Sequence, residues 1–136
     1  MRYAMIKKQI NVVGAILINE GKILCAQRGE EKSLAYLWEF PGGKIETGET
    51  PRQALKRELS EELLIQVEVA EEIFETTTHN YDFGTVQLTT FICQLKQGSP
   101  ILTEHIAIKW LEPSKLTSLD WAPADIPAVK KIQQIM

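Results

Sequence analysis

The segment from residue 42 to residue 65, GGKIETGETPRQALKRELSEELLI, constrains the fold more than any other part of the sequence. Thr50 is suited to cap a helix, and Pro51 follows at the first helical position, where its missing N–H costs nothing. Four apolar residues then recur at helical spacing, which indicates a buried face: Ala54, Leu55, Leu59 and Leu63. We therefore predict a helix from Pro51 to about Leu63.

The same helix crowds like charges together. Glu58, Glu61 and Glu62 are spaced i, i+3 and i+4, so they project from one face. Each such pair destabilises an isolated helix by roughly 0.2–0.5 kcal/mol, and the C-terminal half of a helix prefers cations. Charges that oppose these helix preferences are expected mainly at functional sites. Closely grouped carboxylates suit Mg²⁺, Mn²⁺ or Ca²⁺ rather than zinc.

The residues that flank these glutamates extend the pattern. Gly42 and Gly43 permit close approach of the backbone, so a carbonyl there can also serve as a metal ligand. Arg57 can pair with a nearby carboxylate, and Glu49 is its natural partner if the preceding loop folds back. The alternative is a solvated acidic helix face, which explains an isolated pair of glutamates better than it explains this set.

On these residues the segment resembles the Nudix box, a pattern of G, five residues, E, seven residues, and R-E-U-x-E-E-x-G-U, where U is aliphatic. Gly43 matches the first glycine and Glu49 the first glutamate. The remaining positions are filled by Arg57, Glu58, Leu59, Glu61, Glu62 and Ile65. The sequence departs from the pattern at Leu64, where a glycine normally ends the helix in a left-handed conformation.

The resemblance implies an enzyme that hydrolyses a nucleoside diphosphate linked to another group, with Mg²⁺ or Mn²⁺ as cofactor. It implies an α+β fold, an α/β/α sandwich with a mixed sheet, in a single domain over residues 1–136. Glu58 and Glu62 are the implied metal ligands, with Glu61 close by and the Gly42 carbonyl contributing. Glu58, Glu61 and Glu104 are all candidates for the general base, although Glu104 is equally compatible with an ordinary surface position.

The similarity extends beyond the box. LCAQR…LWEFPGGKIETGET resembles the MutT-like branch, which includes enzymes that hydrolyse oxidised guanine nucleotides and CTP pyrophosphohydrolases. These act on free (d)NTPs and release (d)NMP and pyrophosphate. Arg28 then matches a basic residue that faces the triphosphate, with a solvated strand-end arginine as the alternative. Phe40 and Tyr36 are candidates for stacking on the base, or ordinary aromatic residues.

The tail LDWAPADIPAVKKI resembles the segment with which MutT-like enzymes read the base. Asp125 stands where the bacterial oxidised-guanine enzymes have an asparagine. A carboxylate offers acceptors only, which suits the amino group of cytosine. A protonated Asp125 would also donate, so oxidised purines stay open, and the residue is also suited to cap the terminal helix.

Outside the box, alternating and β-branched runs predict strands at Ile10–Ile18, Ile23–Arg28, Gln66–Phe83, Thr85–Leu95 and His105–Leu111. A short helix capped by Ser114 and a terminal helix over Pro123–Met136 follow. We predict no role for His79 or His105, because no histidine pattern surrounds them.

The composition restricts the partners. The net charge of −3 argues against a nucleic-acid polymer as ligand, and no apolar run approaches the roughly 20 residues of a membrane span. Cys25 and Cys93 lie apart in apolar runs, typical of buried free thiols. We therefore expect a cytoplasmic protein, and the resemblance implies that it binds a small nucleotide as a monomer or homodimer. The alternatives are a Nudix hydrolase for another nucleoside diphosphate derivative and a catalytically silent domain that only binds nucleotide.

Overall fold

The strands of the protein form one mixed sheet with an α-helix on each face. In the computed structural model, which describes residues 8–136, the sheet has eight strands. They are β1 Gln9–Asn19, β2 Lys22–Gln27, β3 Trp38–Glu39, β4 Gly42–Lys44, β5 Gln66–Val69, β6 Glu75–Tyr81, β7 Gly84–Gln97 and β8 Ala107–Leu111. The helices are α1 Pro51–Leu63 and α2 Ile126–Ile135, and two short 3-10 helices cover Pro113–Ser118 and Pro123–Asp125.

Strands β1 and β7 run parallel through the centre of the sheet and pair over their length. Along the main path the strand order is β3-β2-β1-β7-β5, while β4 pairs with β1, β6 with β7 and β8 with β2. Each of these other pairings is antiparallel. The arrangement confirms the predicted α+β fold with a mixed sheet.

The alternation of side chains in β1 explains why the sheet has two covered faces. Val13, Ala15 and Leu17 pack in the core that includes the apolar face of α1. Ile16 and Ile18 pack in a second core, which contains the buried residues of α2. Since one helix covers each face, the predicted α/β/α sandwich is confirmed.

Helix α1 begins as the sequence predicts. The Thr50 hydroxyl accepts a hydrogen bond from the backbone N–H of Gln53, and the Gln53 side chain accepts one from the Thr50 N–H. This reciprocal arrangement is a capping box, which satisfies two otherwise unpaired donors. The helix ends at Leu64, which has a φ of 57° in the left-handed region. The leucine therefore adopts the backbone conformation of the glycine that it replaces.

We expect Leu64→Gly to stabilise the protein. The Leu64 side chain is 54% exposed, and a left-handed conformation strains a residue with a Cβ, so the glycine variant should gain about 0.5–1 kcal/mol. For a chain of this size, that corresponds to a rise in Tm of roughly 2–4 °C. Thermal unfolding should show no such rise for Leu64→Ala, which retains the Cβ; an equal rise in both variants would contradict the strain.

Three details differ from the sequence predictions. Ser114 does not cap its helix, because it lies inside Pro113–Ser118, where Glu112 is the cap position and no side chain makes a capping bond. The strand predicted over residues 66–83 is two strands, separated by the irregular segment 70–74. The terminal α-helix begins at Ile126, after a 3-10 turn, and not at Pro123.

The structure also shows the state of the two cysteines and the length and character of the helices. Cys25 and Cys93 are buried and free, as predicted, and burial raises the pKa of each thiol to about 12. No helix within residues 8–136 has the length and apolar character needed to cross a membrane.

Candidate active site

One cavity of about 810 Å³ brings the Gly-Gly turn, helix α1, strand β3 and the C-terminal segment together. Five glutamates line it, of which Glu46 lies beside the Gly-Gly turn; the other four are here called the carboxylate wall: Glu39, Glu58, Glu62 and Glu104. It is also lined by an apolar wall, formed by Tyr81, Phe83, Val86 and Leu88. The cavity therefore combines a surface for cations or cation-bound phosphate with a surface for an uncharged ring.

The two glycines of the turn are required by close contacts. A Cβ on Gly42 would lie 1.9 Å from the carbonyl oxygen of Val13, and a Cβ on Gly43 would lie 2.5 Å from Oε2 of Glu58. The turn pairs with the centre of β1, where Gly42 lies opposite Gly14. The absence of a side chain at Gly42 thus allows close pairing with β1, and its absence at Gly43 allows the Glu58 carboxylate to lie directly against the backbone of β4.

Arg57 contacts three of the carboxylates of the box: Glu49, Glu58 and Glu61. Its guanidinium makes a two-bond pair with Glu49, at 2.7 and 3.0 Å. It also donates to Glu58 at 3.0 Å, to Glu61 at 3.2 Å and to the Lys44 carbonyl at 2.9 Å. Arg57 lowers the pKa of Glu49, and Glu49 in turn raises the pKa of Arg57. The predicted pairing of Glu49 with Arg57 is confirmed.

Glu58 and Glu62 meet in the cavity, whereas Glu61 does not line it. Burial is the main cause that raises the pKa of Glu62 to about 9, and the neighbouring Glu58 adds to it. The Glu61 carboxylate is 60% exposed and binds Arg57. Within residues 8–136, no group of three or more His, Cys, Asp or Glu side chains converges as a complete metal site. A cation would therefore take other ligands in addition to these carboxylates.

Glu104 lines the cavity and faces the helix glutamates. Its charge contributes to the raised pKa of Glu62, and its carboxylate lies 3.8 Å from the ammonium group of Lys32. The side chain is half exposed. Its place in the carboxylate wall is compatible with the predicted role as a base, which stays a prediction.

Arg28 is engaged by protein groups at the edge of the cavity. It donates to Oε1 of Glu39 at 2.7 Å and to the Ser33 carbonyl at 2.7 Å. The other carboxylate oxygen of Glu39 lies 2.9 Å from Nε2 of His105. Arg28 lines the cavity, so a phosphate contact through its remaining N–H groups stays a prediction. Neither Glu39 nor His105 was assigned a role from the sequence.

Asp125 is buried at the position that precedes α2, but it does not cap that helix with its side chain. Its Oδ1 accepts instead from the backbone N–H of Phe40, at 2.9 Å. Burial raises the pKa of Asp125 well above its usual range, while the Phe40 N–H opposes the shift. Asp125 and Phe40 both line the cavity. The Asp125 side chain therefore does not cap the helix, and its role in reading the base stays a prediction.

Of the two aromatic residues predicted to stack on a base, Phe40 lines the cavity and Tyr36 does not. Phe40 is buried against Trp121, with ring centroids 4.7 Å apart. The Tyr36 hydroxyl donates to Glu30, and Tyr36 lies outside the main cavity. Phe83, by contrast, is 45% exposed and stacks on Tyr81 at 5.0 Å. The accessible ring of the apolar wall is therefore Phe83, which the sequence did not indicate.

Comparison with known proteins is consistent with this geometry. Residues 8–132 match the NUDIX domain. The CTP pyrophosphohydrolase of Escherichia coli K12 is 40% identical over 125 residues, covering 90% of each chain. The 8-oxo-dGTP diphosphatase of Haemophilus influenzae Rd is 36% identical over 129 residues, covering 94% of each. A solution structure of the Nudix hydrolase MutT from methicillin-resistant Staphylococcus aureus 252 is 54% identical, with a TM-score of 0.78, covering 95% of this chain and 98% of that one.

The chain belongs to the Nudix family. Nudix hydrolases generally use divalent metal ions, and the cavity fits one. Glu58 and Glu62 provide hard oxygen donors, and burial together with the neighbouring Glu58 raises the pKa of Glu62, so its ionisation is disfavoured unless a positive charge is present. Gly42 also lines the cavity, and its carbonyl stays a predicted ligand. In this Nudix protein Glu58 and Glu62, within the carboxylate wall, are the candidate metal ligands.

We expect Arg57→Lys to lower turnover about tenfold, because one ammonium group cannot hold the paired contact with Glu49 and reach Glu58 as well. Arg52→Lys is a matched control on the same helix, since Arg52 donates to the carbonyls of Val69 and Ala70 and does not line the cavity. Turnover assays and thermal unfolding of both variants test this expectation. Equal turnover in the two variants would refute a specific role for Arg57.

Proposed function

We propose that this protein is a nucleoside triphosphate pyrophosphohydrolase, which converts a (d)NTP and water to a (d)NMP and pyrophosphate. The observation that carries the proposal is the single cavity that joins the carboxylate wall to the apolar wall and Asp125. A metal-bound polyphosphate suits the first surface and a base suits the second. Two relatives, named CTP pyrophosphohydrolase and 8-oxo-dGTP diphosphatase, both act on triphosphates by their names.

The proposed cofactor is Mg²⁺, with Mn²⁺ as a substitute, held by Glu58 and Glu62 with the Gly42 carbonyl. When bound, such an ion neutralises charge on pyrophosphate oxygens and lowers the pKa of a coordinated water. Arg57 fixes the Glu58 carboxylate from the side. The residue that accepts the proton of the attacking water is Glu58, Glu61 or Glu104, and Glu104 is favoured over Glu61 because it lines the cavity and Glu61 does not.

Two classes of base are proposed, each on its own observation. A charged Asp125 carboxylate accepts hydrogen bonds only, which suits the amino group of CTP or dCTP. The raised pKa of Asp125 favours the neutral acid, which also donates and therefore suits an oxidised guanine nucleotide such as 8-oxo-dGTP. With such substrates the protein would act in nucleotide-pool sanitation in the cytoplasm.

A pyrophosphate-release assay with Mg²⁺ tests the proposal. The panel comprises CTP, dCTP, 5-methyl-dCTP, 8-oxo-dGTP and dGTP, with ADP-ribose and a nucleotide sugar as substrates of other Nudix reactions. Since the last two yield a nucleoside monophosphate and a sugar phosphate instead of pyrophosphate, monophosphate formation is followed by chromatography in every reaction. We expect release from at least one cytosine or oxidised-guanine nucleotide at a kcat/KM well above that for dGTP. Hydrolysis of only the diphosphate derivatives would support the alternative Nudix reaction, and absence of all hydrolysis would support a silent nucleotide-binding domain.

A further inference from the structure

Glu104 lies in the irregular segment between β7 and β8, yet its two neighbours are bound to two different elements that line the cavity. Thr103 binds the end of helix α1, and His105 binds strand β3. A reactive group on an irregular segment needs such supports, since a displacement of about 1 Å can reduce turnover on the order of 100-fold. The two contacts therefore bear on how Glu104 reaches the cavity.

The contact with α1 uses carbonyls that the helix cannot satisfy itself. The Thr103 hydroxyl donates to the Glu62 carbonyl at 2.5 Å, and the Ile101 N–H donates to the Leu63 carbonyl at 3.0 Å. The last carbonyls of a helix have no partner within the helix. The segment therefore caps the same helix that bears Glu58 and Glu62.

The contact with β3 is buried. The His105 side chain is 6% exposed, and its Nε2 lies 2.9 Å from Oε2 of Glu39. Since a carboxylate only accepts hydrogen bonds, Nε2 carries the hydrogen. Oε1 of Glu39 accepts from Arg28, so both carboxylate oxygens are engaged. Glu39 is thus a fixed acceptor, and the ring of His105 has one defined orientation.

The other ring nitrogen shows that packing alone does not account for His105. Nδ1 is buried and has no hydrogen-bond partner among residues 8–136. An unpaired buried nitrogen destabilises the folded state, so an apolar residue would fill this position at lower cost. The Nε2 bond to Glu39 is therefore the feature of His105 that an apolar residue could not supply.

We propose that Thr103 and His105 are positioning residues that hold the Glu104 carboxylate in the carboxylate wall. Residues 103–105, which are bound to α1 through Thr103 and to β3 through His105, are here called the strap. The inference rests on the proposed function for its kinetic consequence, because the pyrophosphohydrolase reaction is what Glu104 would serve. The mechanical part, that the two contacts order Glu104, holds for any reaction at this site.

Backbone ¹⁵N relaxation of the metal-free protein tests the mechanical part without any substrate. In the wild type we expect the Glu104 amide to be as ordered as the sheet, with an order parameter near 0.85. In His105→Leu and in Thr103→Val it should fall to about 0.6 or lower, while α1 and the sheet are unchanged. Thr117→Val is the matched control on a distant exposed threonine. An ordered Glu104 in both strap variants would overturn the proposal.

A double-mutant cycle tests the kinetic part, with CTP and 8-oxo-dGTP as substrates. His105→Leu should lower kcat about tenfold with KM within about twofold, because substrate contacts remain. In the Glu104→Gln background the same change should have almost no further effect, since the group that it positions is already neutral. His105→Gln, which can still donate to Glu39, and Thr103→Ser should retain at least about a third of wild-type kcat.

The outcomes distinguish the positioning role of Thr103 and His105 from the proposed hydrolase activity. An equal loss from His105→Leu in both backgrounds would mean that His105 acts through Arg28 and Glu39 or through general stability, and it would overturn the proposal. So would a Glu104→Gln variant with wild-type turnover. If the wild type hydrolyses no nucleotide in the panel, the proposed function fails, whereas the relaxation result still decides whether the strap exists.

Discussion

Glu62→Gln should retain the fold and lose nearly all turnover. The change removes a carboxylate that we propose as a metal ligand, and we expect kcat to fall on the order of 1,000-fold, equivalent to about 4 kcal/mol of transition-state stabilisation. Glutamine has almost the same volume as glutamate, and the Glu62 backbone carbonyl that binds Thr103 is unaffected. A turnover assay at saturating Mg²⁺ and a far-UV spectrum of the same preparation check the two halves of the prediction.

The same variant should be more stable than the wild type when metal is absent. The pKa of Glu62 is raised to about 9, chiefly by burial and then by Glu58. A raised folded-state pKa means that stability is complete below about pH 4 and declines as the pH rises towards 9. Glutamine stays neutral and avoids this decline. Discounting for the exposed part of the side chain, we expect a gain on the order of 1 kcal/mol at pH 8, or roughly 3 °C in Tm.

Melting curves between pH 5 and 9, with and without Mg²⁺, test the sign of this effect. In the absence of metal, the difference in Tm between Glu62→Gln and the wild type should increase with pH. With Mg²⁺ the order should reverse, because the ion binds the ionised wild-type pair and its affinity rises as the proton leaves. Glu68→Gln is the control, since Glu68 is an exposed carboxylate paired with Lys96 on the sheet. Retained turnover in Glu62→Gln would contradict the ligand assignment.

The parts of the site that the sequence predicts are those formed by neighbours along the chain. The capping box of α1, the spacing of Glu58 and Glu62 and the return of the loop from Glu49 to Arg57 all lie within one short segment. Helical periodicity and capping rules act over this range. The alternation in β1 likewise determines which side chains face each helix, so the sandwich architecture follows from local patterns.

The contacts that could not be predicted join residues far apart in the sequence. His105 meets Glu39, 66 positions away, and Asp125 accepts from Phe40, 85 positions away. No local pattern determines which of several polar residues will meet when strands from different regions pair. The only signal for His105 was its place beside Glu104. An exposed aromatic residue at a hairpin tip, as Phe83 is, has no sequence feature that distinguishes it from Tyr36.

Asp125→Asn should change the preference between CTP and 8-oxo-dGTP, measured as the ratio of their kcat/KM values, by one to two orders of magnitude. The asparagine side chain can still accept the Phe40 N–H through its oxygen, so the loop should remain folded. At a pH where Asp125 is ionised, the NH₂ group replaces an acceptor with a donor, which disfavours the amino group of cytosine and favours a carbonyl. A mismatched hydrogen bond to a base costs about 1–3 kcal/mol. We therefore expect the ratio of kcat/KM for CTP to that for 8-oxo-dGTP to fall about 10- to 100-fold.

The control for this change is Asp120→Asn, which alters an aspartate that does not line the cavity. It should leave the ratio within about twofold of the wild type. If Asp125→Asn also leaves the ratio unchanged, Asp125 does not read the base. In that case its buried carboxyl serves only to hold Phe40 in place.

The pH dependence of the wild-type ratio then decides which protonation state of Asp125 is used. Burial favours the neutral acid and raises the pKa of Asp125, so the acid is the donor at lower pH and the carboxylate the acceptor at higher pH. If both forms bind a base, turnover of 8-oxo-dGTP should decline relative to CTP as the pH rises through that pKa. The side-chain amide in Asp125→Asn does not titrate, so the ratio in this variant should be flat over the same range. A ratio that varies equally in both proteins would arise from the carboxylate wall and the phosphates, and it would exclude titration of Asp125 as the source of base preference.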